Sequence, residues 1–123
     1  ALLMNACKKE DIRQTPVEVI PGGSGGTYNI ALFPLSGKSG VSGKCYIKYA
    51  CKTIPSDRIT YNDSNATMVE PGFGPHVHFV NLKEGFYLLS AKGTYNSKQM
   101  KADTIIEITA SQAATTDYRL HLK

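Results

Sequence analysis

The stretch KCYIKYAC, residues 44–51, alternates strictly: Cys45, Ile47 and Tyr49 share one parity, and Lys44, Tyr46 and Lys48 share the other. Side chains on an extended strand point to opposite faces in turn, so this pattern suits a strand with one apolar face and one wet face. The same period of two recurs along the chain, and nothing sustains the 3.6-residue period of an amphipathic helix. The expected fold is therefore all-β. The 11 glycines and 6 prolines fall largely between the alternating runs, where turns are needed.

Read in order, TYNIALF (27–33) places Tyr28, Ile30 and Leu32 on one face and Asn29, Ala31 and Phe33 on the other. SGKSGVSG (36–43) reads as a loop, and residues 52–66 as a long polar connection. ATMVE, the turn PGFG and HVHFV form a predicted hairpin. FYLLSAKGTY (86–95) is continuous enough to be buried on both faces, and KADTIIEIT follows after a polar turn. In TTDYRLHLK, Tyr118, Leu120 and Leu122 face inward and Arg119, His121 and Lys123 outward. About seven strands at this spacing predict an antiparallel Ig-like sandwich over residues 27–123. Ile47, Phe79, Leu82, Tyr87, Leu89, Ile106 and Leu120 are its expected core. Residues 1–26 read as an N-terminal tail ending in a Gly-rich hinge, PGGSGG.

The run HVHFVNLKEGFYLLSAKG resembles the transthyretin-like, carboxypeptidase-regulatory-like sandwich family: a strand with a core Phe, then N-L-x-x-G, then an aromatic strand closing on A-x-G. The resemblance spans about residues 27–109. It implies a sandwich and says little about activity, because one fold hosts many functions. Separately, LLMNACKKED resembles the end of a bacterial lipoprotein signal, which implies lipid on Cys7 and a Gram-negative outer-membrane surface or extracellular location. Met4 departs from that pattern, and lipoprotein processing would remove residues 1–6.

Three cysteines, Cys7, Cys45 and Cys51, suggest one bridge and one thiol of another fate. Cys45 and Cys51 can pair only if the chain turns back near Ala50, because a straight strand would hold them about 20 Å apart. Cys7 can carry lipid or pair with either of the others.

His76 and His78, at i and i+2, point to the same side of a strand, a spacing that zinc and copper sites use. Glu70 across the hairpin or His121 on the last strand are the candidate third ligands. The competing reading is a pair of solvent-facing histidines, and no cofactor is expected. Asn62 (NDS) and Asn65 (NAT) begin N-glycosylation sequons, and Thr104 lies in DTI, which resembles an O-glycosylation acceptor. Tyr46, Phe73 and Tyr95 are candidate contact aromatics. Asp57, Asp63, Glu70 and Asp103 are expected in loops or at strand ends.

The chain carries no GxSxG, HExxH, P-loop or GxGxxG, so no enzyme is expected. The net charge of +4 is spread along the chain, without a zinc-finger or helix-turn-helix pattern, so nucleic acid is not an expected partner. The expected function is a non-catalytic surface module, structural or adhesive, and in its sharper form a filament subunit whose N-terminal tail adds as a strand to a neighbour. Its partners would then be other copies, other surface proteins, or the outer membrane through a lipid. The alternative is a lipid-anchored binder of glycan, peptide or metal.

Overall fold

A computed structural model describes residues 20–123. Cys7, the lipoprotein-like segment and the proposed donor strand lie outside the described residues. The described chain forms an all-β sandwich of eight strands: β1 (Ser24–Ser36), β2 (Ser39–Gly40), β3 (Gly43–Tyr49), β4 (Asp63–Ala66), β5 (Val77–Leu82), β6 (Gly85–Tyr95), β7 (Lys98–Ile108) and β8 (Thr115–His121). One sheet gathers β2, β5 and β8 around β1, and the other runs β4-β3-β6-β7.

The core forms where the alternating patterns of the two sheets meet. Ile30, Leu32, Ile47, Phe79, Leu82, Tyr87 and Leu89 are buried together with Ile106 and Leu120, so every residue expected in the core is there. Cross-strand register explains the sharing of faces: Ile47 stands opposite Leu89, and Tyr87 opposite Ile106. FYLLSAKGTY is buried on both faces at its start, because Leu88 and Cys51 form a second, smaller cluster with Ile59, Tyr61 and Ile105 packed on it. The segment between β3 and β4 therefore covers part of the outer face of that sheet.

Four sequence expectations need correction. The sandwich is not wholly antiparallel, since β8 runs parallel to β1 from Asn29↔Thr115 to Leu35↔His121. The loop at 36–43 contains β2 and sends Val41 into the core at 1% exposure. The polar connection at 52–66 ends in β4, which pairs with β3 from Lys44↔Ala66 to Ile47↔Asp63. The Gly-rich stretch read as a hinge begins β1 and is tied down: the Phe86 amide donates to the Pro21 carbonyl (2.8 Å), and the Tyr87 hydroxyl accepts from the Gly23 amide (2.8 Å). Gly85, at φ 141°, sits where a Cβ would fall 2.2 Å from the Pro21 backbone, so only glycine allows that crossing.

The chain passes from one sheet to the other through the hairpin between β4 and β5. Met68 and His76 exchange both backbone hydrogen bonds, at 2.8 and 3.0 Å. The turn is Glu70-Pro71-Gly72-Phe73, closed by the Phe73 amide donating to the Glu70 carbonyl (2.9 Å), with Gly72 at φ 84°. Pro at the second position and a left-handed Gly at the third are what a type II turn requires. This hairpin builds the site described next.

Candidate metal centre

His78 lies on β5 between the core residues Val77 and Phe79, so it points away from the core. His76 lies two residues earlier and shares its side. The predicted common direction holds: the two rings meet edge to face, 4.8 Å between centroids. Their environments differ, however. His78 keeps 42% of its side chain exposed, whereas His76 keeps 2%. The reading of two solvent-facing histidines is therefore wrong for His76. Phe33, on the outward parity of β1, stacks on its ring at 4.9 Å and 27°. Phe73, from the turn, meets it edge-on at 6.2 Å.

A buried imidazole needs its nitrogens satisfied. His76 Nδ1 is 2.8 Å from the Gly74 carbonyl oxygen, an acceptor, so Nδ1 carries the hydrogen and donates. Nε2 is thereby directed at Glu70, whose Oε1 lies 2.9 Å away. The same oxygen is 3.9 Å from His78 Nε2. Glu70, His76 and His78 can each offer one donor atom, all within 4.8 Å of one another. Zinc bonds of about 2.0–2.1 Å to nitrogen and oxygen put tetrahedral ligands about 3.4 Å apart. The observed separations bracket that value, so small side-chain rotations would place all three donors on one ion. A backbone carbonyl that fixes the tautomer of a ligating histidine is the usual outer support of such a site. Glu70 is 52% exposed, which leaves the fourth direction open to solvent.

Of the two candidate third ligands, Glu70 joins the histidines, and His121 does not belong to the cluster. The deciding feature is the tight turn, which returns the chain so that Glu70 faces His76. The sequence did not reveal the aromatic wall, because Phe33 reaches the site from a strand more than forty residues away.

The other predicted positions serve the scaffold. Cys45 is a free, fully buried thiol on the core side of β3, with burial pushing its pKa up to about 12. It therefore makes no bridge with Cys51, even though the chain does turn at Ala50, at φ 55°. Cys51 is buried on the opposite side of the sheet, beside Leu88. Asn62 accepts a bond from the Tyr49 amide (2.7 Å), and Asn65 donates to the His78 carbonyl (3.2 Å), so both sequon side chains are engaged in the fold. Thr104 is half-buried within β7, opposite Leu89. Asp103 also lies within β7, where its carboxylate accepts from Ser90 (2.5 Å). Of the three candidate contact aromatics only Phe73 is exposed, at 59%. Tyr46 is half-buried with the Lys44 and Lys92 ammoniums over its ring, and Tyr95 packs against the core.

Comparison with protein-family models found no match, and comparison with curated proteins found none either. The transthyretin-like resemblance therefore rests on the quoted motif, and function must be argued from the site.

Proposed function

We propose that this domain is a non-catalytic, metal-binding sandwich module, with Glu70, His76 and His78 holding one transition-metal ion. The observation that carries the reading is the buried His76, hydrogen-bonded through Nδ1 to Gly74 and aimed through Nε2 at Glu70. Solvation alone gives no reason to bury this imidazole, stack it between aromatic rings and face it with a carboxylate and a second imidazole. The metal would sit between Nε2 and Oε1, which now face each other at 2.9 Å. The lipoprotein-like segment supports a cell-surface or extracellular setting.

Thermal unfolding with and without zinc or copper(II) tests the reading. A ligand at about 100 times its Kd stabilises by about 2.7 kcal/mol, which for a domain of this size is a rise of several degrees in Tm. Glu70→Gln and His78→Ala should remove that rise while leaving the metal-free Tm nearly unchanged, since both side chains are exposed. If neither metal raises Tm, or if both variants keep the full rise, the reading is wrong.

A second proposal concerns assembly. β7 is eleven residues long and pairs on one side with β6. Along its other side, among the described residues, Lys101 alone makes backbone hydrogen bonds, to Lys123. An edge of this length is a ready acceptor for an added strand. We propose the N-terminal tail of a neighbouring copy as that strand. We further propose that Cys7 pairs with Cys51, since Cys45 is free. Deleting residues 1–19 should leave a folded monomer that no longer assembles, as read by light scattering. Unchanged assembly after the deletion would exclude the tail.

A further inference from the structure

We propose that Met68 is the fourth ligand of this centre and that the ion it selects is copper. This rests on the three-ligand reading above. Met68 and His76 form a hydrogen-bonded antiparallel pair. Residues directly opposite in such a pair project to the same side, with Cβ atoms about 4.5–5.5 Å apart. The His76 ring points to the metal side, so the Met68 side chain starts on that side as well. Glu70 follows Met68 by two residues and His78 follows His76 by two, so the period of the strands brings all four onto one face of the hairpin.

Met68 is 47% exposed. Its flexible, unbranched chain can place sulfur over a neighbouring ion at little cost in strain. The chemistry of the resulting donor set decides the metal. Two imidazoles and a carboxylate suit zinc and copper alike, whereas a thioether is a soft donor that favours copper(I) and adds little for zinc. The Phe33 and Phe73 rings around His76 supply the apolar surroundings in which a soft, low-charge ion is favoured over a strongly hydrated one.

The test uses the full chain and titrates it separately with zinc and with copper(I), each against a competing chromophoric chelator. Met68→Leu preserves size and apolarity but removes sulfur. It should weaken copper(I) binding at least tenfold and change zinc binding less than twofold. X-ray absorption of the copper(I) protein should show a sulfur neighbour that disappears in Met68→Leu, a variant that keeps all three cysteines. If His78→Ala abolishes binding while Met68→Leu leaves copper(I) affinity unchanged, the three-ligand centre stands and Met68 is not its ligand. If zinc displaces copper(I) at equal concentration, the copper assignment is overturned. If the unaltered protein binds neither metal, the centre itself is absent and both readings fall.

Discussion

Phe33 and His76 lie face to face, 4.9 Å between ring centroids, although they come from different strands and are 43 positions apart in sequence. The stack buries one face of the imidazole and limits its rotation, so Nε2 is held toward Glu70 before any ion arrives. Phe33→Ala should cost about 1–2 kcal/mol of stability, less than a fully buried phenylalanine because Phe33 is half-buried. It should also weaken metal binding, because the freed ring must be ordered on binding, whereas Phe33→Leu should weaken it less. Urea unfolding and metal titration of the two variants check both effects.

Phe79 is 2% exposed, in the centre of the cluster formed by both sheets. Phe79→Ala should cost about 3–5 kcal/mol through lost burial and the cavity left behind. A loss below about 1 kcal/mol in urea unfolding would place the residue outside the core.

The contrast between these two phenylalanines shows how far the sequence could be read. The shared parity with Val77, together with the resemblance to a strand with a core Phe, assigned Phe79 to the core. The same alternation put Phe33 on the face opposite Ile30 and Leu32, but it could not show what covers that face. His76 and His78 were legible as a pair from their spacing, and Glu70 from the Pro-Gly turn that follows it. The burial of His76 was not legible, because it depends on a non-local stack. The parallel pairing of β8 with β1 and the entry of Val41 into the core also depend on contacts between segments far apart in sequence. Local periodicity carries no record of these. Cys45 was readable as a small core residue from parity alone, and the structure agrees.

Cys45 gives a prediction about pH. Its thiol is neutral in the fold, with a pKa raised by burial from 9.0 to about 12. An unfolded chain releases this proton at lower pH than the folded one does. The contribution to stability is thus fully present below pH 9 and is lost as pH rises toward 12. One pKa unit corresponds to about 1.4 kcal/mol, so about 2 kcal/mol should be gone by about pH 10.5. Tyr49, Tyr61 and Tyr87, whose pKa values burial also raises, titrate in the alkaline range too. The comparison is therefore made against Cys45→Ala. Urea midpoints at pH 8 and pH 10.5 should fall further in the parent protein than in that variant, and equal falls would contradict the account.

The β6–β7 hairpin turns through Asn96 and Ser97, at φ 51° and 63°, between the paired residues Tyr95 and Lys98. Two left-handed central residues make a type I′ turn, for which Asn-Gly is the favoured sequence. Serine carries a strain there that glycine does not. Ser97→Gly should therefore stabilise the domain by about 1 kcal/mol, net of the entropy glycine adds to the unfolded chain. A rise in Tm checks this, and a fall would mean that the turn is not of this type.

The central claim is that Glu70, His76 and His78 form one metal centre, and isothermal titration of the metal-free protein tests it most directly. Zinc and copper(II) should each bind with a stoichiometry of one, and His78→Ala should reduce the affinity at least tenfold while its circular dichroism spectrum matches the parent's. Loss of one of three ligands removes far more than tenfold binding in a preorganised site, so this threshold is conservative. No heat of binding for either metal, or an unchanged isotherm in His78→Ala, would contradict it.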